Sequence, residues 1–124
     1  MAKKDLVLEL KQKAKGLRKE IITMIYNAQS GHIGGSLSAI DMLVGLYHYK
    51  LRIEPKNPMW QDRDRFVLSK GHCSPAIYAV LADKGYFPKS ELDGYRKINR
   101  MLQGHPELST PGIDFAGGAL GQGI

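Results

Sequence analysis

The chain is poor in cysteine, with Cys73 alone among 124 residues, which excludes an intrachain disulfide and suits a reducing compartment. It lacks an apolar run long enough to cross a bilayer, and its N-terminus lacks the basic-then-apolar order of a secretory leader. The expectation is a cytoplasmic protein with no membrane partner. Internal repeats and low-complexity tracts are absent too. Acidic residues are the minority charge, 12 against 18 Lys and Arg for a net +6. Much of that excess, Lys3, Lys4, Lys11, Lys13, Lys15, Arg18 and Lys19, is interleaved with leucines at helical spacing, so a solvated helix face explains it better than a nucleic-acid surface. Tyr26, Tyr47, Tyr49, Tyr78, Tyr86 and Tyr95 are not interleaved with the lysines as a base-stacking platform requires. No nucleic acid is expected as partner, whereas anionic small molecules such as sugar phosphates suit the charge.

The length fits one modest domain. Leu6, Leu10, Ala14, Leu17, Ile21, Met24, Ile25 and Ala28 recur at three- and four-residue steps and predict a long first helix, weakened at Gly16 and ending near Asn27 to Ser30, where Gly31 supplies the stop. Ser30 to Ser36 holds three glycines in seven residues and reads as a loop. A second helix is expected from about Leu37 to Tyr49, capped by Ser36 or Ser38 and burying Ile40, Leu43, Leu46 and Tyr47. Glu54 to Asp64 is polar and proline-bearing, a surface loop. Arg65 to Ser69 reads as a short buried strand of the parallel type.

Between the apolar run Phe66-Val67-Leu68 and the segment Ala76 to Ala82 stands Gly71-His72-Cys73-Ser74-Pro75. It reads as a glycine turn carrying a histidine, followed by a helix with proline at its first position, where a missing N–H costs nothing. That helix should stop at Gly85, with another short one over Pro88 to Arg96. Free N–H groups at a helix start suit an anionic ligand. Two more Gly-His pairs, Gly31-His32 and Gly104-His105, make three of the four histidines glycine-preceded. His48 lies between Tyr47 and Tyr49 on a predicted helix and reads as structural or exposed. Cys73 adjoins His72, but sequence neighbours seldom have nucleophile–base geometry, and no reactive-cysteine signature surrounds it. From Gln103 onward periodicity disappears, and the glycine-rich ending looks like a loop about to enter a helix. One strand and about four helices do not complete a parallel α/β sheet, so residues 1–124 are expected to be a partial domain, incomplete at its C-terminus.

Four blocks now stand in order: Ser30-Gly31-His32-x-Gly, Asp62 to His72, Gly104-His105-Pro106-Glu107 and Gly118-Ala119-Leu120-Gly121-Gln122-Gly123. In order and spacing they resemble the beginning of transketolase, over about Gly16 to Ile124, and Ile33-Gly34-Gly35 resembles the split form whose N-terminal subunit pairs with a separate C-terminal subunit. The resemblance implies an α/β fold, helix-dominated here with about one parallel-type strand, forming the N-terminal, diphosphate-holding portion of a thiamine diphosphate-binding fold. It implies transfer of a two-carbon ketol unit from a ketose phosphate to an aldose phosphate within a homo- or hetero-oligomer. Residue by residue, it implies that His72 lies near the cofactor's diphosphate, that the backbone at Gly118 and Leu120 contacts the cofactor, that His105 faces the substrate's hydroxyls and reacting carbon, and that His32 assists proton transfer at the acceptor's carbonyl. Imidazole suits such work because it takes and gives a proton near neutral pH.

Departures from the family pattern bear on this. Gly117 stands where the family usually has a hydroxyl residue, and Ala119 where proline or serine is common. The family's Mg2+ (or Ca2+) is held by a Gly-Asp-Gly segment and a later asparagine; Asp93-Gly94 follows Leu92 and does not match it. The carboxylate that activates the cofactor belongs to the other half of the enzyme. The isolated chain is therefore expected to be inactive. The alternatives are a non-catalytic fragment or helical interaction module and, among thiamine enzymes, a 1-deoxyxylulose-5-phosphate synthase-like chain; Cys73-Ser74-Pro75-Ala76 and the Gly-His-Pro-Glu block favour transketolase over the latter.

Overall fold

A computed structural model describes residues 2–123; Met1 and Ile124, the limits of the expected partial domain, lie outside the described residues. Helix α1 (Lys3–Ala28) turns Ala14, Leu17, Ile21 and Met24 inward while its lysines face water. Gly16 sits inside it, exposed and with nothing near enough to touch a side chain, so it passes without a break. The helix ends within the expected stretch, but another residue supplies the stop. Gln29, not Gly31, takes the left-handed conformation at φ 52°, and both its backbone N–H and its side-chain amide donate to the Tyr26 carbonyl.

Helix α2 (Ile33–Gly45) begins four residues before the expected start, so Gly34 and Gly35 lie within its first turn rather than in a loop. Gly35 answers a packing need instead, because a Cβ there would collide with the Cys73 sulfur. Neither Ser36 nor Ser38 caps the helix; their hydroxyls donate back to the carbonyls of His32 at 2.7 Å and Gly35 at 2.9 Å. The helix runs on as a π-helical turn, Leu46–Lys50, that buries Tyr47.

The expected strand at Arg65 to Ser69 does not form, and no strand occurs among the described residues. A strand exists only as half of a hydrogen-bonded ladder, and among the described residues no backbone ladder joins this segment to another. The Phe66 ring instead meets Tyr47 edge to face at 5.7 Å. Its N–H reaches the Asp114 carboxylate at 3.4 Å, which also takes the Arg63 guanidinium at 2.8 Å. The fold is therefore helical.

A 3-10 turn, Gly71–Cys73, leads directly into α3 (Ser74–Lys84), with Pro75 one place later than expected and still within the first turn. Every residue of α3 from Ser74 to Ala82 is buried, the mark of a helix surrounded on all sides. Gly85 ends it at φ 92°, and a 3-10 turn follows at Lys89–Gly94. α1, α2 and α3 pack against one another around Ile21, Ile40, Leu43, Ile77 and Leu81, all at most 2% exposed. Each such side chain contributes about 1.5–3 kcal/mol, an upper bound because unfolded chains are already partly collapsed. At the far end of α3, Asp83 draws in Lys13 of α1 at 3.1 Å, His48 of the π-helical turn at 3.0 Å and Lys89 at 3.5 Å. No helix of the described residues is long and apolar enough to cross a membrane.

Candidate functional site

The N-terminal ends of α2 and α3 meet, and this brings two histidines together. His32 occupies the cap position of α2 and His72 the 3-10 turn before α3; their rings stand edge to face with centroids 4.9 Å apart. Gly35 permits the approach by leaving room for Cys73. Lys70 fastens it, its ammonium donating to the Gly35 carbonyl at 2.9 Å and to the Ser38 hydroxyl at 3.1 Å.

Three glycines bring the third histidine to the same place. A Cβ on Gly71 would lie 2.5 Å from the Gly117 carbonyl oxygen and 3.0 Å from the Gly118 Cα, so the two backbones touch. Gly118 has φ 144°, and a Cβ there would run into the His105 ring. Only glycine satisfies both the conformation and the space at 118. His32, His72 with its neighbour Gly71, Gly118 and His105 thus form one continuous series, the step to Gly118 running through Gly71. Leu120 does not join it, being 66% exposed and outside the contacts that link the other four. His48 lies away from the group, against Asp83.

Helix α3 holds His105 from beneath. The Ser74 hydroxyl donates to the Gly104 carbonyl at 2.7 Å and the Tyr78 hydroxyl to the Gln103 carbonyl at 2.6 Å. Burial pushes the Tyr78 phenol far above its ordinary range, so it remains a donor. Sequence patterns had no means of finding Ser74, Tyr78 or Lys70, since their partners are carbonyls that any residue could present. Burial also pushes the Cys73 thiol up, against a smaller opposing effect of Lys70, which keeps it protonated and unreactive beside His72.

None of the ion pairs among the described residues involves His32, His72 or His105. Imidazoles are the side chains that gather here, and a neutral imidazole offers one N–H donor and one acceptor nitrogen. Among the described residues no group of three or more His, Cys, Asp or Glu side chains could hold a metal ion.

The family described as "transketolase, thiamine diphosphate binding domain" matches residues 10–124. The chain is 46% identical over 118 residues to the 6-deoxy-6-sulfo-D-fructose transketolase subunit SqwG of Clostridium sp., covering 94% of this chain and 43% of that protein. It is 42% identical over 107 residues to an apulose-4-phosphate transketolase subunit of Phocaeicola vulgatus, covering 86% of this chain and 38% of that protein. Among solved structures, a transketolase from Campylobacter jejuni superposes with a TM-score of 0.86 at 41% identity, covering 92% of this chain and 18% of that one. The chain therefore spans less than half the length of these relatives.

Proposed function

The chain belongs to the family of transketolase thiamine diphosphate-binding domains, and from that premise we propose that it supplies part of a site that moves a two-carbon ketol unit from a ketose phosphate to an aldose phosphate. The observation that carries this reading is the contact series His32, His72 with Gly71, Gly118 and His105. Thiamine diphosphate, when bound, supplies the electron sink for breaking the carbon–carbon bond. His72 donates to its diphosphate, and the backbone at Gly118 and Leu120 lies along it. His105 faces the substrate's hydroxyls and the reacting carbon. His32 gives or takes the proton at the acceptor's carbonyl oxygen, work worth about a hundredfold to ten-thousandfold in rate.

The Mg2+ or Ca2+ of the complete enzyme takes its ligands from outside the described residues. A C-terminal transketolase subunit, or the remaining part of the enzyme, completes the site within a homo- or hetero-oligomer; that two relatives are named as transketolase subunits supports a divided enzyme. The place of action is the cytoplasm, in keeping with sugar phosphate substrates.

Reconstitution tests this. The chain purified together with its complementary subunit, and given thiamine diphosphate, magnesium, a ketose phosphate and an aldose phosphate, is expected to produce the two exchanged sugar phosphates. Cofactor binding by that assembly without any exchange overturns the reading. Calorimetric titration of the chain alone with thiamine diphosphate and magnesium is expected to give only weak heats, and micromolar affinity there would contradict the divided site.

A further inference from the structure

We propose that Tyr78 and Ser74 are positioning residues that fix the direction of His105 by clamping the two carbonyls immediately before it. The two hydroxyls sit four residues apart, on one face of α3. Both residues are fully buried, and they donate to successive carbonyls, those of Gln103 at 2.6 Å and Gly104 at 2.7 Å. Holding two adjacent carbonyls fixes two adjacent peptide planes, which leaves Gly104, the most permissive residue type, with one conformation. The His105 N and Cα are then held in place, with the ring against Gly118.

The segment needs such a clamp. Residues 95–110 contain no helix or strand, and His105 itself is exposed, so neither a backbone ladder nor packing holds the ring. On the other side the Arg96 guanidinium lies against Gly104, where a Cβ would come within 3.1 Å of it. Arg96 is exposed and adopts φ 59°, whereas α3 is the most deeply buried helix of the fold. The rigid partner is therefore α3. Buried hydroxyls that already donate to carbonyls also keep those carbonyls from water, so the arrangement holds wherever the helix holds.

The role of His105 in catalysis rests on the proposed transketolase reading, but its direction does not, and the test separates the two. In Tyr78→Phe and Ser74→Ala, which each delete one hydroxyl, imidazole carbon–proton NMR spectra of the full chain are expected to show the His105 signals moved and broadened and those of His48 in place. In the reconstituted enzyme kcat falls roughly tenfold to a hundredfold, the size of a small misplacement of a reacting group, while thiamine diphosphate affinity is kept. Folded variants whose His105 signals are unmoved overturn the proposal, and either variant alone decides. If both fail to fold, carbon relaxation in the native chain decides instead: a His105 ring as ordered as the α3 side chains is expected, and rapid rotamer averaging overturns it. Loss of ketol transfer in the unmodified enzyme would remove the catalytic role and leave the NMR result standing.

Discussion

The two ends of α3 each meet a histidine and treat it in opposite ways. At the C-terminal end His48 faces the Asp83 carboxylate, which it shares with Lys13 and Lys89, and the cluster ties α1, the π-helical turn and α3 together. At the N-terminal end His72 has no carboxylate among the ion pairs of the described residues; it meets another imidazole, and its neighbour Gly71 touches the backbone at Gly117 and Gly118. One end uses its histidine to hold helices together; the other is the end to which the proposed function assigns a ligand. Surroundings, not residue type, separate a structural histidine from a functional one.

Breaking the C-terminal end should cost the most stability. Asp83→Ala leaves Lys13, His48 and Lys89 facing one another around a site whose carboxylate was only 8% exposed. Losing one partner of a buried ion pair costs about 3–5 kcal/mol, but Lys13 and Lys89 reach water, so about 2 kcal/mol is expected here. Urea titration should show the midpoint fall with an unchanged slope. Ketol transfer per folded molecule in the reconstituted enzyme should be unaltered; a loss of activity at full folding would mean that the two ends are not separate.

The N-terminal end should answer the opposite way. Gly118→Ala puts a methyl group where the His105 ring lies and forces a side chain onto φ 144°. The local strain is about 1–3 kcal/mol, yet the segment is outside the hydrophobic core and can relax, so the urea midpoint should move by less than at Asp83. Activity should fall about tenfold as His105 is displaced. A large shift of midpoint with full activity would reverse the comparison and make Gly118 a structural residue.

The difference between the ends also marks how far the amino-acid sequence was legible. α1 could be read because apolar spacing sets which face a helix buries, and α3 because Pro75 opens and Gly85 closes a continuous apolar segment. The start of α2 could not, because Gly34-Gly35 suggests loop freedom while Gly35 in fact makes room for Cys73, far along the chain. The strand at Arg65 to Ser69 failed because apolar run and flanking turns describe a strand's fitness, and its partner is a separate requirement. The histidine face was legible only as a resemblance carried by four motifs; spacing alone gave no reason for His32, His72 and His105 to meet. The Asp83 cluster left no trace at all, since residues 13, 48, 83 and 89 are scattered and each looks like an ordinary surface charge.

The smallest expected effect is on the acid side of the C-terminal end. Burial is the largest influence on His48 and lowers its pKa; Lys84 and Lys13 push the same way, while the Asp83 carboxylate opposes them without prevailing. In the unfolded chain the same imidazole titrates near its ordinary 6.5. The unfolded state therefore binds the proton first as pH falls, and stability must fall with it. The contribution of neutral His48 is complete above pH 6.5, declines below it, and levels off once the native state is also protonated. Lys89 lies on the remaining face of Asp83 at 3.5 Å. Urea midpoints measured between about pH 7.5 and pH 5, a window around the ordinary histidine value, should slope less steeply in His48→Gln than in the unaltered chain. Equal slopes would move the acid sensitivity away from the Asp83 cluster and toward the exposed histidine face, and the division between the two ends of α3 would then lose its electrostatic half.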